Sequence, residues 1–227
     1  MSAQDSESAK LTSLPVAETR ETPLLSEVAT YYSGKLAQHG QSPRGVDWNG
    51  AEGQTLRFRE LCRVIDGSRP YSLTDLGCGY GALHDHLAAK GHDFSYLGVD
   101  VSESMIQAAR ERLRNQTKVR LLQAGSPDEV RDYGIASGIF NVRLGRTDVE
   151  WRAYLEQTLD QLDRGSRMGF AFNCLTSYSD ADRMRADLYY ADPCQLFDLC
   201  KRRYAKDVAL LHDYGLYEFT ILVRKQP

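Results

Sequence analysis

Three glycines at alternate positions, Gly77, Gly79 and Gly81, follow the apolar run that ends at Leu76, and a single aspartate, Asp100, ends the next apolar run. Glycine at such a turn lets the backbone take left-handed dihedrals and approach a bound group closely, and the helix that follows offers unpaired N–H donors. An acid roughly 20 residues downstream, at the end of the second strand, is the group that grips a ribose diol in sheets of this type. Taken singly, the glycines read as a tight turn and Asp100 as a solvated strand-end carboxylate. Their joint placement at the ends of two successive strands favours a nucleoside ligand.

Positioning those groups requires stacked βαβ units, and the hydrophobic pattern supplies them. Strands are predicted at Tyr71–Leu76, Phe94–Val99, Val119–Leu122, Ile135–Phe140 and Met168–Leu175. Helices intervene over Ala82–Lys90, from Ser102, and after Asp148, where Trp151, Tyr154, Leu155, Thr158, Leu159 and Leu162 recur at helical spacing. Asp192-Pro193 reads as an N-cap followed by Pro at the first helical position. Val208–Leu211 and Tyr217–Arg224 flank Asp213-Tyr214-Gly215 as an antiparallel hairpin, which makes seven strands. Ahead of the sheet, residues 1–22 read as a flexible tail and residues 23–68 as a helical cap, with helices at Leu24–Ala37 and Ala51–Ile65. The sheet domain then spans residues 69–227.

The chain has 227 residues and a formal net charge of −3, with 42% hydrophobic and 26% charged residues. That balance suits a globular protein with a core and excludes general disorder and a general phosphate-backbone binder. Nucleic acid is therefore not an expected partner. The five cysteines are scattered, with no CxxC pair and no zinc-type spacing, so no metal site is expected and the thiols read as reduced. No apolar run approaches the roughly 20 residues of a membrane span, and a cytoplasmic protein without a membrane partner is expected. The sequence assigns no oligomeric state.

Asp75-Leu76-Gly77-Cys78-Gly79-Tyr80-Gly81 resembles the first motif of class I S-adenosylmethionine-dependent methyltransferases, GxGxG in place of the dinucleotide GxGxxG. Tyr96-Leu97-Gly98-Val99-Asp100-Val101-Ser102-Glu103-Ser104-Met105 is similar to that family's second motif. The resemblance covers residues 71–224 and implies a Rossmann-like three-layer α/β sandwich whose mostly parallel sheet ends in the antiparallel hairpin of strands six and seven. It implies S-adenosylmethionine as cofactor and S-adenosylhomocysteine as product. Asp75 opens the motif and counts with the cofactor-binding residues. The backbone of Gly77, Cys78 and Gly79 is implied to face the methionine part, and Asp100 to bind both ribose hydroxyls. Val101 and Met105 fall at the adenine face, or else in the core. Where many relatives carry an acid after strand three, this chain has Gly125, so Ser126 or a backbone group serves instead. Ser137 and Gly138 either line the methyl-transfer side or pack strands tightly.

DNA amino-methylating enzymes carry Asn or Asp followed by Pro-Pro-aromatic after strand four, whereas this chain reads Asn141-Val142-Arg143-Leu144. With the acidic balance, this points to a small-molecule acceptor methylated at oxygen or nitrogen by metal-independent in-line displacement. His212, at the end of strand six, is the candidate base should the acceptor have to lose a proton, and a packed hairpin histidine is the alternative. Tyr31, Tyr32, Trp48 and Arg57 are placed by the resemblance where cap helices close over the cofactor. Tyr189, with Tyr178 and Tyr190, lies in the polar stretch that would wall the acceptor. Two other functions stay open: an NAD-dependent oxidoreductase, for which the glycine spacing is short, and a non-catalytic module that binds the methyl donor as a sensor or partner.

Overall fold

The computed structural model describes residues 23–226, so the expected tail at residues 1–22 lies outside the described residues. Eight strands form one sheet: β1 Tyr71–Leu76, β2 Phe94–Asp100, β3 Val119–Gln123, β4 Arg131–Ala136, β5 Ser166–Thr176, β6 Tyr190–Ala191, β7 Asp207–Leu211 and β8 Glu218–Arg224. The order is β3-β2-β1-β4-β5-β8-β7, with β6 paired to β5. Strands β1 to β6 pair in parallel, and β8 inserts antiparallel between β5 and β7. The order reverses beside β1, which leaves a crevice at the carboxyl ends of β1 and β4.

Six α-helices accompany the sheet: α1 Pro23–His39, α2 Ala51–Leu61, α3 Ala82–Ala89, α4 Glu103–Arg112, α5 Asp148–Gly165 and α6 Pro193–Arg203. Their starts are written locally. The Ser102 hydroxyl accepts from Met105 N–H to open α4, and Thr147 and Glu150 form a reciprocal capping box on α5. Asp192 accepts from the N–H groups of Cys194 and Gln195 ahead of Pro193. Their apolar faces then fill two cores. One packs Leu155, Leu159, Leu162, Leu196 and Cys200 against Phe170, Phe172, Phe219 and Ile221. The other packs Phe58, Leu61, Leu83, Leu87 and Ile106 against Leu73, Tyr96 and Ile135.

The structure corrects the expected elements in three places. Among the described residues there are eight strands and not seven, because β6 is a two-residue pairing of Leu175-Thr176 with Tyr190-Ala191, too short to show alternation. The fourth strand spans Arg131–Ala136 and stops before Gly138, whose φ of +78° breaks the pairing. The second helix ends at Leu61 and tightens into a 3₁₀ turn, Cys62–Val64. Both faces of β8 are buried, Glu218 and Thr220 included, since the strand lies inside the sheet. All five cysteines are free, and no helix among the described residues is long and apolar enough to cross a membrane.

Candidate functional site

At the carboxyl end of β1 the chain turns through Gly77, Gly79 and Gly81, at φ of +75°, +54° and +86°. A side chain on Gly77 would put its Cβ 2.1 Å from Ile139 Cγ2, and one on Gly79 would lie 3.0 Å from Val46. The turn is thus left-handed and closely overlaid, for which only glycine serves. The end of β2 anchors it: Gly77 and Cys78 donate their N–H groups to the Val99 carbonyl at 2.7 and 3.0 Å. Asp100 then accepts from Gly79 N–H through Oδ2 and from Ser102 N–H through Oδ1, each at 2.9 Å. A carboxylate has about four lone-pair sites, so two remain for a ligand.

These groups line a first cavity with Asp75, Val101, Met105, Ala124, Gly125, Ser137 and Gly138, covered by Leu25, Val28 and Tyr32 of α1. Its volume of about 90 Å³ is below the roughly 300–1,000 Å³ of ligand pockets, so a nucleoside enters only if the cover moves outward. The cover, α1, is held by side-chain bonds, among them Ser33 to Ser102 at 3.0 Å and Lys35 to Asp47 at 2.7 Å. Two polar features suit a ligand: the buried Ser137 hydroxyl has no partner, and the Asp75 Oδ1 has none among the described residues.

Asp75 is 2% exposed and accepts from the Tyr96 hydroxyl at 2.6 Å. Burial pushes its pKa up to about 7; the Tyr96 hydrogen bond opposes this and nearby Asp100 adds to it. Because the folded value lies above the unfolded one, Asp75 costs stability as pH rises from about 4 to 7. Asp75→Asn should therefore gain stability over the parent, and the gain should grow by about 2 kcal/mol between pH 5.5 and pH 8. Urea unfolding at the two pH values measures it, and a gain independent of pH would refute the assignment.

A second cavity, about 480 Å³, adjoins the first, and Tyr32, Val46, Trp48 and Gly138 line both. A closed ring of contacts builds this shared wall. Gly138 N–H donates to Asn173 Oδ1 at 2.8 Å, and Asn173 Nδ2 donates to Glu218 Oε2 at 2.5 Å. Arg57 donates to Glu218 through Nε at 2.8 Å and Nη2 at 2.6 Å. The Arg57 guanidinium lies 3.9 Å over the Trp48 ring, and the ring returns to Gly138, where an added Cβ would meet it at 2.4 Å. A bidentate pair at a 2% exposed carboxylate is a strong, dry tether between α2 and β8.

The structure gathers Asp75, Gly77, Cys78, Gly79, Asp100, Val101, Met105, Gly125, Ser137 and Gly138 around the first cavity, with Tyr32 and Trp48 from the cap. Arg57 lines only the second. Ser126, Tyr31, Tyr189 and His212 line neither. Tyr31 instead donates to Asp47 at 2.7 Å, and Tyr189 packs against the sheet core. His212 is exposed, its ring 5.9 Å from Tyr178 and 6.1 Å from Phe219, so the structure does not bring it to the site. Asn173 and Glu218 are site residues that the sequence did not single out, since they meet only through the pairing of β5 with β8. A carboxylate at the head of a mostly apolar strand was the available signal.

Residues 73–165 match the family model described as a methyltransferase domain. A Mycobacterium tuberculosis (strain H37Rv) relative, Rv1506c, described as a methyltransferase, is 61% identical over 163 residues, which is 72% of this chain and 98% of the relative. Two solved structures share the fold. Magnesium protoporphyrin IX methyltransferase from Synechocystis, with S-adenosylmethionine bound, superposes at TM-score 0.64 and 13% identity, covering 91% of this chain and 99% of that one. N-methyltransferase NodS from Bradyrhizobium japonicum, with S-adenosylhomocysteine, does so at 0.62 and 15%, covering 88% and 98%.

Proposed function

The chain belongs to the class I S-adenosylmethionine-dependent methyltransferases, and from that premise we propose that it methylates an oxygen or nitrogen of a small molecule held in the second cavity. The donor is S-adenosylmethionine, whose sulfonium, when bound, supplies an electrophilic methyl group: the acceptor lone pair forms the new bond as the methyl–sulfur bond breaks, and that electron pair stays on sulfur. The observation that carries the reading is the shared wall. Two cavities that meet at Tyr32, Trp48 and Gly138 let a group held in one face a nucleophile held in the other.

In this reading Asp100 uses its two remaining lone-pair sites for the ribose hydroxyls, the turn at Gly77, Cys78 and Gly79 takes the methionine part, and Val101 and Met105 take the adenine face. Ala124 and Gly125 complete that end, where the family's acid is missing and Ser126 does not reach the cavity. The Tyr32 phenol, pushed well above its usual pKa by burial, stays protonated and serves as a donor, not as a base. Alignment and exclusion of water by the Trp48–Arg57–Glu218 ring then supply much of the rate. Residues 23–68 form the cap over both cavities, and residues 69–227 form the catalytic domain.

The test is turnover. Incubated with methyl-labelled S-adenosylmethionine and a panel of small hydroxy, carboxy and amino compounds, the full chain should label at least one in a reaction saturable in acceptor. Donor binding with no labelled product across the panel would favour a non-catalytic module, and saturable NAD binding would overturn the donor.

A further inference from the structure

The second cavity carries information on its ligand, in a way that rests on its assignment as the acceptor site. Its lining includes two acids, Asp47 and Glu218, and the protein's own donors occupy both. Asp47 accepts from Lys35 Nζ and from the Tyr31 hydroxyl, each at 2.7 Å, and Glu218 takes three bonds from Arg57 and Asn173. Each carboxylate already faces a cationic side chain, Lys35 or Arg57, so a cationic amine would meet a charge that is already paired.

The donors are in the opposite condition. Asn141 lines the cavity; its Oδ1 accepts from Leu175 N–H at 3.2 Å, which fixes the amide's orientation, and its Nδ2 makes no hydrogen bond among the described residues. Arg183 makes no hydrogen bond through its guanidinium among the described residues: its acid neighbour Asp180 lies 3.9 Å away and accepts from the Tyr217 hydroxyl. Arg185 is paired with Asp187 through Nε and Nη2 and lies beside the Tyr31 hydroxyl. The cavity thus has acids already paired with the protein's own cations, an Asn141 amide nitrogen without a partner among the described residues, and two guanidinium groups.

We propose that the acceptor bears an oxyanion, a carboxylate or a phosphate ester, which Arg183 and Arg185 receive while Asn141 fixes its orientation beside the shared wall. Planar guanidinium groups match such oxygens, whereas a cationic amine is repelled by them. The three groups come from two segments, Asn141 after β4 and the arginines in the loop between β5 and β6, so they converge only in the fold.

Calorimetry on the full chain saturated with S-adenosylhomocysteine tests this. The probes are mono-, di- and tricarboxylates with their primary amides, and sugar phosphates with the parent sugars. At least one oxyanion should bind tenfold or more tightly than its neutral counterpart, and the class that binds separates carboxylate from phosphate. The double variant R183Q/R185Q should lose that preference by tenfold or more while its affinity for S-adenosylhomocysteine stays within twofold. Neutral counterparts binding as well, no oxyanion binding, or an unchanged preference in the double variant would each overturn the proposal. Failure of S-adenosylhomocysteine itself to bind would instead overturn the underlying site assignment.

Discussion

Asp100→Ala is expected to weaken S-adenosylhomocysteine binding by at least tenfold, measured by calorimetry on the full chain. Hydrogen bonds to a charged partner are worth about 1.5–3 kcal/mol each, and Asp100 has two lone-pair sites for a ribose diol after accepting from Gly79 and Ser102. The change also releases the Gly79 N–H, so part of the loss is disorder of the glycine turn. Asp100→Asn separates the two contributions: its amide oxygen can keep one backbone bond, but the charge and one acceptor position are gone, so it should fall between parent and alanine variant. Burial raises the Asp100 pKa, and the backbone N–H groups of Ser102 and Gly79 oppose the shift. Binding should therefore weaken at acidic pH as the carboxylate takes up its proton. Unchanged affinity in Asp100→Ala would remove the ribose assignment.

Gly138→Ala is expected to lower kcat/KM by at least a hundredfold, with a much smaller effect on S-adenosylhomocysteine affinity. Its φ of +78° disfavours any Cβ by about 1–2 kcal/mol, and the new methyl would lie 2.4 and 2.6 Å from the Trp48 ring. The ring must move, which undoes its stacking on Arg57 and shifts the wall shared by the two cavities. Displacements of about 1 Å cost on the order of a hundredfold in reactions that depend on alignment. Trp48→Leu in the Gly138→Ala background makes room for the methyl and should recover part of kcat if the clash is the cause. Equal losses in kcat/KM and donor affinity would mean that Gly138 serves the donor cavity alone.

How much of this was legible in the sequence follows from how local each feature is. Gly77, Gly79 and Asp100 were readable because the turn's dihedrals and the strand end are fixed within a few residues of each other in the fold and roughly 20 in sequence. The helix starts at Ser102 and Asp192 were readable for the same reason: a cap is chosen by its own side chain, whereas for α5 the apolar spacing marked the helix and its cap, Thr147, was not named. The ring at the shared wall was not. Arg57 and Glu218 are 161 residues apart, and nothing in either neighbourhood states that α2 and β8 meet. His212 was read from its position at a strand end, but the side of the sheet on which that end opens depends on the insertion of β8 between β5 and β7. The spare donors of the second cavity depend on which hydrogen bonds the fold completes elsewhere, as with Asn141, whose carbonyl is consumed by Leu175.

The central claim is that two cavities meet at one wall and that the methyl group crosses it. A crystal structure of the full chain with S-adenosylhomocysteine tests it most directly. The account predicts the ribose hydroxyls on Asp100, the thioether sulfur at the wall formed by Tyr32, Trp48 and Gly138, and α1 displaced outward with the second cavity still open. Ligand bound away from Asp100, or with its sulfur turned away from the second cavity, would contradict it.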